Sequence, residues 1–127
     1  MSRIGLSLEN VRVLVLEDDY FLATDLEDAL TAKGVIVLGP FPDMAGAVRA
    51  LAAERPDCAL VDINLGNGIS FDLPRELARR SIPFAFVTGY DRAVIPDEFA
   101  DMRRMEKPVA AGKVIELVEG LLAAEPA

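Results

Sequence analysis

Short apolar runs of strand length alternate along this chain with segments whose apolar residues recur every three or four positions. That alternation restricts the possible folds more than any other feature of the 127 residues. Arg12 to Leu16 reads as a strand buried on both faces. Leu22, Leu26, Ala29 and Leu30 then follow at helical spacing, with Gly34 as a stop. Val35 to Leu38 reads as a second strand, ended by Gly39-Pro40. Asp43 can cap a helix carrying Met44, Ala47, Val48 and Leu51 on one face, closed by Pro56. Cys58 to Val61 is a third strand running into Asp62, followed by a loop rich in Asn and Gly from Asn64 to Gly68. Ser70 can cap a helix with Leu73 and Leu77, where Pro74 is tolerable only in the first turn. Phe84 to Val87 is a fourth strand ending in Thr88-Gly89-Tyr90. Asp91 to Met102 is weakly patterned, with at most a short helix from Pro96 and few apolar anchors, and is expected to be mobile. Arg103 to Glu106 is a fifth strand by position, and Val114, Ile115, Val118, Leu121 and Leu122 mark a final helix.

Five strand and helix alternations imply a parallel sheet with helices on both faces. Right-handed crossovers leave few topologies, and no internal repeat or linker divides the chain. In such sheets the functional site lies beyond the carboxyl ends of the strands. Those ends carry Glu17-Asp18-Asp19, Asp62, Thr88 and Glu106-Lys107-Pro108. Three adjacent carboxylates after a buried strand repel one another and call for solvent, a helix N-terminus or a cation. Glu17 to Asp19 alone would equally suit a helix start, with Asp19 as N-cap, and Asp62 alone would suit a turn. Together the strand ends suit phosphoryl transfer to a carboxylate. Asp62 is the candidate nucleophile. The carboxylates can hold a hard divalent cation such as Mg2+. Lys107 and Thr88 can meet phosphoryl oxygens with an ammonium and a hydroxyl.

Composition removes other chemistries. The 13 basic and 21 acidic residues leave a net charge of -8, against binding to nucleic acid through phosphate neutralisation. With no histidine there is no histidine base and no usual zinc site. The single cysteine, Cys58, cannot form an internal disulfide and reads as a small core residue. No apolar run is long enough to span a membrane and no signal peptide precedes the first strand, so a cytoplasmic location is expected.

The ordered pieces VLVLEDD, LVDINL, FVTGY and MEKP, at helix-length spacings, resemble the receiver domain of two-component response regulators. The resemblance runs from about residue 10 to 123 and implies one receiver domain over residues 1–127, with no output domain. It implies a flavodoxin-like five-stranded parallel sheet of order 2-1-3-4-5. It further implies Asp62 as phosphoacceptor and Asp18 as a direct Mg2+ ligand, joined by Asp62 and the backbone carbonyl of Asn64. Glu17 would act through water, and Thr88 and Lys107 would contact the phosphoryl group. It also implies a cis Lys107-Pro108 bond. The phosphoryl donor would be a histidine kinase or phosphotransfer protein, and output would go to another protein. FVTGY, with PF before it, is similar to the Phe-Ala-Thr-Gly-Tyr signature of an alphaproteobacterial subgroup.

One position departs from the family. Receivers commonly carry Tyr or Phe three residues before the strand-five lysine, where this chain has Arg104. Burying a charge there would be costly, so Arg104 is expected at the surface. Two alternatives stand beside the phosphorylated receiver. One is a degenerate receiver acting as an unphosphorylated interaction module. The other is a small aspartate-dependent phosphatase with true turnover, although the second acid expected two residues after its nucleophile is here Asn64.

Overall fold

The computed structural model describes residues 7–63, 70–88, 95–107 and 109–123. Its elements are β1 (Arg12–Leu16), α1 (Tyr20–Thr31), β2 (Ile36–Phe41), α2 (Met44–Ala53), β3 (Cys58–Val61), α3 (Asp72–Arg79), β4 (Phe84–Thr88), a 3-10 turn (Asp97–Phe99), β5 (Arg104–Glu106) and α4 (Ala111–Ala123). The strands form one parallel sheet in the order β2-β1-β3-β4-β5. This is the expected order.

The two-residue period of the strands sorts the core into two layers. Val13, Val15, Cys58, Leu60, Ala85 and Val87 face α1 and α4, meeting Leu26, Leu30, Val114 and Val118. Leu14, Leu16, Ala59, Val61, Phe84 and Phe86 face α2 and α3, meeting Ala47, Leu51, Leu73 and Leu77. Strands covered on both sides can be apolar at every position, which is why β1, β3 and β4 stand out in the sequence. Burial pushes the Cys58 thiol up to about 12, so it is a core residue without thiolate character. Asp19 and Asp43 cap α1 and α2, accepting from Leu22 N at 3.1 Å and Gly46 N at 2.9 Å.

Two expectations change. β2 does not stop at Gly39-Pro40 but runs through it to Phe41. Leu14 pairs with Leu38 and Leu16 with Phe41, so β2 carries one extra residue over that step, a bulge. Gly39 sits there at φ 104°, open to glycine and strained for other residues. The short helix expected from Pro96 is present as the 3-10 turn, Asp97–Phe99. Second, that part of the chain is anchored. Ile95 packs on the core, and Phe99 is buried among Phe71, Phe84 and Phe86 at centroid distances of 5.8–5.9 Å. Arg75 adds a 2.8 Å ion pair from α3 to Glu98 of the turn. Residues 91–94 of the stretch expected to be mobile lie outside the described residues.

Phe99→Ala should therefore cost about 3–5 kcal/mol, the usual range for a buried phenylalanine. Val48→Ala should stay within about 0.5 kcal/mol, because Val48 is 45% exposed despite its place in the α2 pattern. Urea unfolding of the two variants measures the contrast.

Candidate functional site

The carboxyl ends of β1, β3, β4 and β5 meet at one rim. The peptide joining Leu16 to Glu17 is gripped from both sides. Its carbonyl accepts from Asp62 N at 2.9 Å, and its N–H donates to Phe41 O at 2.9 Å. β1 thus delivers Glu17 in fixed register with Asp62 on β3. On the other side, Lys107 N donates to Thr88 O at 3.1 Å, which ties the residue after β5 to the end of β4. Thr88 is fully buried there.

The side chains converge on the Lys107 ammonium. Lys107 Nζ donates to Asp62 Oδ2 at 2.9 Å and to Glu17 Oε2 at 3.0 Å. Glu17 Oε2 also accepts from Asp19 N at 3.0 Å. Glu17 and Asp62 are each only 2% exposed. Glu17 Oε1 is buried and has no hydrogen-bond partner among the described residues. An orphaned carboxylate oxygen in such a place carries an unrecovered desolvation cost. Asp18, exposed at the rim, completes a cluster in which one carboxylate oxygen each from Glu17, Asp18 and Asp62 lie within 4.8 Å of one another.

The electrostatics follow from this packing. Burial pushes the Glu17 carboxyl up to about 7, and the neighbouring Asp62 charge pushes the same way. The Asp19 N–H and Lys107 pull it back only in part. For Lys107, desolvation works downward, but the hydrogen bonds to Asp62 and Glu17 outweigh it and hold the ammonium above its usual range. Three carboxylates against one ammonium leave a formal charge of -2. An orphaned acceptor oxygen, three oxygen donors and excess negative charge fit a hard divalent cation.

The sequence-predicted residues Glu17, Asp18, Asp62 and Lys107 are brought together, and Thr88 lies at the end of the neighbouring strand. Asp19 is outside the cluster and serves as the α1 cap. Asn64 and the Lys107-Pro108 bond lie outside the described residues. Sequence reasoning missed the Lys107 contact with Glu17, since it assigned that ammonium only to a phosphoryl oxygen. Its signal was the need of a buried Glu17 for a cation. Arg104 is not fully at the surface. Its side chain is 24% exposed, Nη2 lies 3.6 Å from Glu106 Oε1, and Nη1 is buried without a hydrogen-bond partner among the described residues. Its register opposite Phe86 puts it on the α2 and α3 side of the sheet, and Glu106 offsets part of its charge.

Residues 13–119 match the response regulator receiver domain family. The chain belongs to that family. It is 32% identical over 89 residues to the phyllosphere-induced regulator PhyR of Methylorubrum extorquens, a match covering 68% of this chain and 33% of the relative. Among solved structures, the BeF3-activated conformation of SdrG from Pseudomonas melonis is 30% identical with a TM-score of 0.73, covering 90% of this receiver and 98% of that chain. PhyR from Brucella abortus is 26% identical with a TM-score of 0.78, covering 93% and 51%. PhyR receivers among the neighbours agree with the subgroup signature on β4. The receiver spans about a third of the length of the curated relatives it matches. Membership places it in two-component signalling. No helix among the described residues is long and apolar enough to cross a membrane.

Because the Glu17 pKa is raised on folding from about 4.5 to about 7, its protonated form stabilises the metal-free fold. That contribution is fully present below about pH 4.5 and is lost as pH rises through 7. In chelator-treated protein, the stability of the receiver relative to Glu17→Gln should fall across this window and level off above it. Denaturant titrations at a series of pH values check the slope. A flat difference would show that Glu17 is not a desolvated acid.

Proposed function

We propose that the receiver accepts a phosphoryl group on Asp62, with Mg2+, from a histidine kinase or phosphotransfer protein, and passes the signal to a protein partner. The observation that carries this reading is the Lys107 ammonium held between Asp62 and Glu17 beside a three-carboxylate cluster. These 127 residues contain no histidine, so a phosphohistidine donor lies outside them. A carboxylate oxygen of Asp62 attacks phosphorus as the P–N bond of the donor breaks and the imidazole leaves. Lys107 then compensates phosphoryl charge where it now compensates Asp62, while Glu17 keeps its ammonium at the rim. Thr88 supplies a hydroxyl from the end of β4. Asp18 and Asp62 would hold Mg2+, with the backbone carbonyl of Asn64 and, through water, Glu17; the ion would supply charge neutralisation at the phosphoryl oxygens. Tyr20 and Phe21, 74% and 77% exposed beside Asp18, offer apolar surface that a protein donor would cover.

Arg104 in place of the usual aromatic favours a second reading, an interaction module that works without phosphorylation. Incubation with Mg2+ and a small acyl phosphate separates the two, with intact-mass and peptide mapping as readout. One stable label at Asp62, absent in Asp62→Asn and after chelation, is the expected result. No label points to the unphosphorylated module, and continuous release of phosphate to a phosphatase.

Saturating Mg2+ should also raise the melting temperature, since a ligand at a hundred times its Kd stabilises the fold by about 2.7 kcal/mol. Asp18→Asn should weaken Mg2+ binding roughly tenfold or more, the scale for lost metal-site groups. Asp19→Asn should change it little, because asparagine caps a helix as well as aspartate does. Equal effects would show the acidic pair to be misassigned.

A further inference from the structure

Glu17 must satisfy two demands at once. Its Oε2 reaches both Lys107 Nζ and Asp19 N, while its Oε1 stays buried and open. A flexible five-atom side chain meets both only if its backbone is fixed. One side of that backbone is fixed by β3, through Asp62 N and Leu16 O. The other is fixed by Phe41 O, which takes the Glu17 N–H at 2.9 Å. Phe41 comes opposite Leu16 only because β2 carries its extra residue between Leu38 and Phe41.

The bulge is built tightly. A Cβ at Gly39 would lie 2.6 Å from Phe41 N, 2.8 Å from Phe41 Cδ2 and 3.0 Å from Val15 O. A Cβ at Gly46, in the first turn of α2, would lie 3.0 Å from Phe41 Cδ1. The Phe41 ring is thus wedged between the bulge, where only glycine fits, and the first turn of α2, where a Cβ would press on it. Asp43 fixes that end of α2 by accepting from Gly46 N. The wedge holds Phe41, and the Phe41 carbonyl holds Glu17.

We infer that Gly39 and Phe41 are positioning residues for the carboxylate cluster: the β2 bulge sets Glu17 where it can share a cation with Asp18 and Asp62. This rests on the cluster being a Mg2+ site, as proposed above. The bulge reaches the cluster only through the Glu17 backbone, so metal affinity is the property that reads its effect. Bulges recur where a strand must re-aim a residue at a site.

The test is a Mg2+ titration, by calorimetry and by melting temperature, on the full chain. Gly39→Ala moves Phe41 N and should weaken Mg2+ affinity by roughly tenfold, the scale for groups that orient a metal ligand. Phe41→Ala removes the wedge and should weaken it in the same direction, with Phe41→Leu restoring most of the loss. Labelling by a small acyl phosphate at saturating Mg2+ should be retained in all three. Leu51→Ala, in the α2 core, serves as a variant destabilised elsewhere and should bind Mg2+ like the parent. If Gly39→Ala fails to fold, the two Phe41 variants decide. Phe41→Ala less stable but binding Mg2+ as tightly as Leu51→Ala would overturn the inference while leaving the metal site standing. No Mg2+ binding by the parent chain would sink the metal reading and this inference together, and Asp18→Asn, indistinguishable from the parent, would identify that case.

Discussion

Two buried carboxylates from different strands share one ammonium, and the upper rim of the domain is organised by that fact. Glu17 lies 90 residues and Asp62 45 residues before Lys107 in the chain. Desolvating two anions side by side is unfavourable by several kcal/mol unless a cation and hydrogen bonds compensate. Lys107 supplies the cation, held by its backbone bond to Thr88. The sheet order places β3 between the strands that carry Glu17 and Thr88, so the ammonium reaches inward across the strand ends. Moving any one of these strands by a single residue would leave a buried charge without its partner. The register of the sheet and the chemistry of the rim therefore constrain each other.

The parts of the fold that could be read in the sequence are those governed by local rules. β1 and β3 are unbroken apolar runs because both faces are covered, and their limits match the expected ones. β2 is an edge strand, half-exposed along most of its length, so its burial leaves a weaker mark. Gly39-Pro40 reads locally as a terminator, whereas pairing with β1 carries the strand through it as a bulge. The 3-10 turn has no helical period to detect. What fixes it is Phe99, which packs against Phe71, Phe84 and Phe86 from other elements. Similarly, Val48 fits the apolar spacing of α2 yet stands exposed, because a face defined by spacing is wider than the face that finds a neighbour.

The site was legible in its members more than in its contacts. A carboxylate, hydroxyl or ammonium at the end of a parallel strand has one rim to reach, so Glu17, Asp18, Asp62, Thr88 and Lys107 follow from strand boundaries. Which of Asp18 and Asp19 joins the cluster depends on where α1 begins: Asp19 turns to cap the helix, and Asp18 is left facing the rim. Arg104 shows the opposite limit. A charged residue in a strand pattern suggests exposure, but register opposite Phe86 buries much of its side chain and leaves Nη1 without a partner among the described residues. That cost is local to β5 and does not touch the carboxylate cluster.

The same balance of charge orders the events of the proposed cycle. With Lys107 alone, the cluster is short of positive charge by two, and the Glu17 carboxyl compensates by holding a proton up to about pH 7. A divalent cation would compete with that proton for the same carboxylate, so binding it would release the proton. A phosphoryl group on Asp62 would then bring new negative charge to a rim that the cation had made neutral. The Lys107 ammonium beside Asp62 and the hydroxyl of Thr88 at the end of β4 would be the groups to meet it. Lys107 and Thr88 are joined through the backbone bond between β4 and β5. In that cycle, a change in what the ammonium holds would reach the β4–β5 edge first, on the strand that carries Arg104.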